Sequence, residues 1–206
     1  MKVLLINGSP HEKGCTYTAL SLIAGELKAQ GIETEILHVG GQPVGGCIGC
    51  GGCRSGNGCV FGGVVNEAIE KAKTADAFVF GSPVHYASAA GNMASFMDRL
   101  AYAGGKYLAY KPAAVCCSAR RAGTTSTLDQ LVKYPQFFHM PLVNGSYWAM
   151  VHGSNPEQVL QDAEGCAVMQ ELGRNMAWLL RCIEAGKAAG IDHPQNSPRP
   201  MTNFIR

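Results

Sequence analysis

The sequence predicts an α/β fold, a doubly wound parallel sheet of five strands with helices on both faces. Three observations lead there. Short continuous apolar runs such as Val3 to Ile6 and Ala77 to Phe80 have the composition of strands buried on both faces. Between them lie longer segments with apolar residues every three or four positions, the order that βαβ units require. The chain of 206 residues, 47% hydrophobic, can bury one good core and reads as one domain.

Val3 to Ile6 is the first expected strand, and it ends at Asn7-Gly8-Ser9-Pro10. Thr16 to Gln30 places Leu20, Ile23, Ala24 and Leu27 on one helical face, with Gly31 as the stop. Thr34 to Val39 reads as the second strand and Val64 to Thr74 as a helix. Ala77 to Phe80 follows as a strand with a turn expected at Gly81-Ser82-Pro83, then a helix over Ala90 to Ala103. Ala113 to Cys117 is a strand, Ser126 to Tyr134 a helix, and Pro141 to Val143 starts the last strand. Glu157 to Gly186 is one long helix or a broken pair. Residues 1–190 thus form one domain with a cysteine-rich insertion at about 45–62, and 191–206, with three prolines, an extended C-terminal tail.

Net charge is only +2 and no lysine- or arginine-rich run occurs, so neither nucleic acid nor a membrane surface is an expected partner. No apolar stretch approaches a membrane span, and the N-terminus lacks a signal peptide's basic start and long apolar core. A cytoplasmic location is expected. In a reducing compartment, nine cysteines point to free thiols, metal ligation or redox work rather than disulfides.

Cys47, Cys50, Cys53 and Cys59 are spaced C-x2-C-x2-C-x5-C in a segment that is mostly glycine. A loop with so few other side chains cannot bury four thiols by packing, and the first three follow the spacing of a bacterial-type iron–sulfur loop. Ligands this compressed do not resemble the two-pair arrangement of zinc sites. Elsewhere, three loops leave strand ends with suggestive chemistry: Ser9 to Thr18, Ser82 to Tyr86, and Ser118 to Thr124. Ligands of doubly wound sheets bind beyond the carboxyl ends of the strands, so the three should converge on one crevice. The first opens a helix and can cradle a phosphate on free N–H groups. Alternatively, Ser9 or Thr16 simply caps that helix. Neither a Walker loop nor a G-x-G-x-x-G fingerprint occurs.

Lys2-Val-Leu-Leu-Ile-Asn-Gly-Ser-Pro10 with Gly14-Cys-Thr16, Cys47-Ile-Gly-Cys-Gly-Gly-Cys53, Gly81-Ser-Pro-Val-His-Tyr86 and Phe96-Met-Asp-Arg99 together closely resemble the NADPH-dependent FMN reductase family. Gly145 to Gly153 and Leu172 to Trp178 look like its iron–sulfur flavoprotein branch. The resemblance implies a flavodoxin-like fold, FMN as cofactor, and NADPH or NADH as co-substrate. It places the FMN phosphate at Ser9, His11, Cys15, Thr16 and Tyr17, with Cys15 and His11 standing where the family has asparagine and commonly arginine. Pro83, Val84, His85 and Tyr86 match the stretch along the isoalloxazine ring. Ser118, Arg120, Arg121, Gly123 and Thr124 match the loop near its pyrimidine end.

The expected function is an FMN-dependent NAD(P)H oxidoreductase of the flavin, quinone, nitro- or azo-compound reductase type. Hydride passes to FMN N5 and then to a small-molecule acceptor or a redox protein. The alternative is an electron carrier linking FMN, a [4Fe-4S] cluster on Cys47, Cys50, Cys53 and Cys59, and a protein partner. Similar loops in FMN-only relatives keep thiols that stay free or pair on oxidation, and a ligand-sensing module on the same fold is a third class. No side chain need be a nucleophile, because the cofactor carries the chemistry. His85 and Tyr86 are candidates for proton donation or for a wall beside the ring. Arg120 and Arg121 either favour the anionic reduced flavin by charge or are solvated cations. Tyr147 and Trp148 cover the flavin or pack at an interface. Cys116 and Cys117 read as inert core, and Asp98-Arg99 as a helix-end ion pair or subunit contact. A homodimer or homotetramer is implied.

Overall fold

The computed structural model describes residues 1–197 together with 200 and 202. Its elements run β1 (Lys2–Asn7), α1 (Cys15–Ala29), β2 (Glu33–His38), α2 (Val64–Thr74), β3 (Ala77–His85), β4 (Ser88–Ala89), α3 (Gly91–Gly104), β5 (Ala113–Ala119), α4 (Thr124–Phe137), β6 (Met150–His152), α5 (Pro156–Val159) and α6 (Ala163–Ala188). Strand order is β2-β1-β3-β5-β6, with every pair along that path parallel and β4 folded antiparallel onto β3. Counting the parallel strands alone, this is the flavodoxin-like order, whose winding reverses between β1 and β3. The expected five-stranded doubly wound sheet is therefore the observed one.

Successive strand residues point to opposite faces, which sorts the core into two layers. Val3, Leu5, Ala77, Val79, Ala114 and Cys116 pack under α1 and α6. Leu4, Ile6, Phe78, Phe80 and Ala113 face α2 and α3, with Leu131 of α4. Because both faces are covered, β1 and β3 carry apolar residues without alternation, which is why their runs stand out in the sequence.

Two expected features are placed differently, and the choice left open at the C-terminal helix is resolved. Gly81, Ser82 and Pro83 are no turn: they continue β3 in register with Cys116, Cys117 and Ser118. The chain reverses later, at Tyr86-Ala87, where both φ are positive (51° and 59°), as a two-residue type I′ hairpin requires. At the sheet edge, Leu142 makes a single parallel bridge to Ala113, and the ladder resumes only at β6. The C-terminal helical segment is a broken pair, since Asp162 caps α6 by accepting from the Gly165 N–H at 2.9 Å. Of the tail, 191–197 holds no helix or strand, and the His193 ring stacks on Tyr110 at 4.3 Å. Positions 198, 199, 201 and 203–206 lie outside the described residues.

Candidate functional site

The site begins where β1 ends. Asn7 is fully buried; its Oδ1 accepts from the Ser9 N–H at 3.1 Å and its Nδ2 donates to the Glu12 carbonyl at 2.9 Å. These two bonds shape the turn into α1. Ser9 Oγ accepts from the His11 N–H at 3.1 Å, and the Ser9 carbonyl lies 2.7 Å from His38 Nε2, which makes that nitrogen the protonated one. Asn7 and His38 were not among the expected site residues. An asparagine closing an apolar run ahead of Gly-Ser-Pro was a signal for the first.

Neither candidate cap serves α1. Its N-cap is Gly14, without a side-chain cap bond, while the Thr16 hydroxyl pairs with that of Ser118 at 2.8 Å. Among the described residues nothing accepts the N–H groups of Cys15, Thr16 and Tyr17. A helix start with free donors and its dipole unanswered, at the carboxyl edge beside the β1/β3 switch, is chemically an oxyanion cradle. Cys15 is half-buried, its thiol donates to the Gly153 carbonyl at 3.5 Å, and burial pushes it above the ordinary thiol range. His11 is exposed beside the cradle.

The other two loops meet the first. Ser118, at the end of β5, reaches the cradle through Thr16. The helix that follows the 118–124 loop, α4, holds the β3–β4 hairpin: the Ser126 hydroxyl donates to the Ala87 carbonyl at 2.7 Å, and Gln130 Oε1 accepts from the Ser88 hydroxyl at 2.6 Å and the Ala89 N–H at 2.8 Å. Gly123, at φ 90°, sits so close that a Cβ would lie 2.7 Å from Ala87 Cα and 2.9 Å from Val84 Cγ1. Glycine is therefore required there both by conformation and by space. The predicted convergence holds for all three loops.

Where the loops meet, Pro83 and Val84 are half-buried, and His85 and Tyr86 stand exposed, Tyr86 at 105% of its reference area. Arg120 and Arg121 are exposed, and no carboxylate among the described residues pairs with them. Ser118 and Thr124 are buried. Cys116 and Cys117 are core, as expected; burial pushes the Cys117 thiol up to about 12. Tyr147 and Trp148 are exposed and pack edge to face at 4.8 Å.

The cysteine loop leaves β2 at the same carboxyl edge and returns at α2, with one 3₁₀ turn at Gly52–Ser55. Gly49, Gly51, Gly56 and Gly58 all adopt left-handed φ, the wrapping that side chains would resist. Cys47 and Cys50 are exposed, Cys53 and Cys59 half-buried, and all four are unpaired thiols. Among the described residues, no three His, Cys, Asp or Glu side chains are placed to hold one metal ion. The donor set itself, four thiols in a stretch from Val39 to Asn66 free of carboxylates, suits a soft metal or cluster.

Arg99 is not the expected helix-end ion pair. It is 6% exposed and turns into this loop, donating to Cys59 Sγ at 3.2 Å, the Gly62 carbonyl at 3.0 Å and the Gly45 carbonyl at 3.4 Å. Asp98 accepts from the Tyr134 hydroxyl at 2.6 Å instead.

The sequence model of the NADPH-dependent FMN reductase family matches residues 1–155. An iron–sulfur flavoprotein of Methanocaldococcus jannaschii is 28% identical over 192 residues, covering 89% of this chain and all of that protein. Among solved structures, RosB with bound OHC-RP (8-demethyl-8-formylriboflavin-5'-phosphate) superposes with a TM-score of 0.70 at 14% identity, covering 100% of this chain and 96% of that one. A flavodoxin from the domain Archaea gives 0.60 at 14% identity over 88% and 99%. At such identities the two structures speak for the fold.

Proposed function

As a member of the NADPH-dependent FMN reductase family, the chain is an FMN-binding oxidoreductase, and we propose that it oxidises NADPH or NADH and passes the electrons to a small-molecule acceptor of the flavin, quinone, nitro- or azo-aromatic class. The carrying observation is the start of α1 at the β1/β3 switch, which has no side-chain cap bond and where, among the described residues, three backbone N–H groups have no hydrogen-bond acceptor. Those donors fit a phosphate. Bound FMN would supply a ring that takes hydride at N5 and gives it up to the acceptor.

The chain's own residues then have defined work. Cys15, Thr16 and Tyr17 would hold the phosphate by backbone N–H, with Ser9 and His11 at the rim. Since Cys15 and His11 replace an amide and a guanidinium, the grip rests on main-chain donors. The Thr16–Ser118 pair locks the cradle to the 118–124 loop. Pro83, Val84, His85 and Tyr86 supply the ring's wall, and Arg120, Arg121, Gly123 and Thr124 its pyrimidine end. The guanidinium charges, which no carboxylate among the described residues pairs with, would favour negative charge at that end of the ring and attract a dinucleotide phosphate.

A second reading, an iron–sulfur flavoprotein acting as electron carrier for a redox protein, is favoured by the carboxylate-free thiol loop rising from the same edge. We place the protein in the cytoplasm as a homodimer or homotetramer; exposed Tyr102, Tyr147, Trp148 and Trp178 support self-association. Among the described residues no helix is long and apolar enough to cross a membrane.

Freshly purified protein gives the test. A flavin spectrum that bleaches rapidly on stopped-flow mixing with NADPH or NADH supports the reductase. Flavin present but unbleached supports the carrier, and no flavin even after reconstitution removes both.

A further inference from the structure

Arg99 is a buried cation that no carboxylate among the described residues pairs with. Its partners are two backbone carbonyls, one sulfur and the face of Phe61, whose ring centroid lies 5.6 Å away. A guanidinium taken out of water without a counter-charge is unfavourable, so this placement calls for negative charge nearby. The one atom in contact that can supply it is Cys59 Sγ, once that sulfur ligates a metal. The geometry also staples the loop: Gly45 and Gly62 stand at its two ends, and one side chain from α3 grips both. Asn66 fixes Cys59 from the other side, accepting from its N–H at 2.8 Å and donating to its carbonyl at 3.0 Å. Cys47, Cys50 and Cys53 have no such partners among the described residues.

From this asymmetry we propose that Arg99 is the positioning residue of the cysteine loop. It holds Cys59 as the fixed sulfur onto which Cys47, Cys50 and Cys53 close when the loop takes a thiophilic metal or cluster. The proposal rests on the metal reading of the loop. Its bond to Cys59 Sγ also withdraws electron density from that ligand, which raises the reduction potential of a bound cluster. The loop is thereby tied to α3, the helix that follows directly from the hairpin carrying Pro83 to Tyr86.

The test titrates anaerobic, FMN-containing protein with Co(II), whose sulfur-to-metal charge-transfer absorption reports thiolate ligation. Wild type should bind cobalt stoichiometrically with that band. Arg99→Met should weaken binding by about 10- to 100-fold, the usual effect of losing a partner of a metal ligand. Its band should move to lower energy, while FMN content stays at the wild-type level. Arg99→Lys, which keeps the charge but not the Nε donor, should recover part of the affinity and keep the band shift. If Arg99→Met does not fold, the band of Arg99→Lys alone decides. Variants matching wild type in affinity and band overturn the role of Arg99. A wild type that retains FMN yet binds neither cobalt nor iron overturns the metal reading, and the proposal with it.

Discussion

Thr16 and Ser118 lie 102 residues apart in the chain, yet their hydroxyl oxygens meet at 2.8 Å in the interior. The bond spans the sheet from the first turn of α1 to the end of β5, passing over β3. It ties the start of α1 directly to the 118–124 loop.

Thr16→Val should therefore leave the buried Ser118 hydroxyl without a partner and destabilise the protein by about 1–3 kcal/mol. Adding Ser118→Ala should recover much of that loss. Urea unfolding of the four proteins as a double-mutant cycle measures the coupling; strictly additive effects would show that the bond contributes nothing.

Gly123→Ala should cost about 1–2 kcal/mol from the left-handed backbone alone, and more from the collision with Ala87. It should also push the hairpin away from the 118–124 loop and weaken FMN binding. Flavin fluorescence titration, with urea midpoints alongside, separates the two effects.

Replacing Arg120 and Arg121 together with alanine should make the flavin midpoint more negative, because two positive charges no longer favour the anionic reduced ring. The difference should shrink as salt is added, since both side chains are exposed. Redox titration against reference dyes is the measurement, and an unmoved midpoint would assign both arginines to solvent.

Glu35 on β2 is bonded by Lys2 at 2.8 Å and Lys71 at 2.6 Å, and the Lys2 contact first, then Lys71, holds its carboxyl below the usual glutamate range. A depressed carboxyl contributes stability that is complete above the ordinary glutamate range and is lost as pH falls through the folded-state value. Glu35→Gln should thus flatten the acid limb of the stability curve. Solvent screening keeps the effect below about 1 kcal/mol. Urea midpoints from pH 6 down to pH 3 follow it, and identical acid limbs would refute the assignment.

Much of this architecture was legible because periodicity and burial are local signals. β1 and β3 announce themselves by apolar runs, and α2 begins and ends as read, at Val64 and Thr74. What stayed hidden depends on contacts remote in the chain. The hairpin at Tyr86-Ala87 has neither asparagine nor glycine to mark a type I′ turn; α4 imposes it through Gln130. Asp98-Arg99 read as a helix-end ion pair or a subunit contact, yet on α3 adjacent residues point apart, so Asp98 meets Tyr134 and Arg99 meets the cysteine loop. The site residues shared that fate only in part. Strand ends gave away the three loops, whereas the Thr16–Ser118 bond needed the sheet order to appear.

Tyr86 shows what the hairpin's geometry brings. Its backbone sits in a conformation that non-glycine residues avoid, and its ring stands clear of the surface. Gln130 holds the neighbouring Ser88 and Ala89, so the backbone beneath that ring is fixed while the ring itself, fully exposed, keeps its rotamer freedom. A planar molecule settling there would have to order one side chain and no backbone.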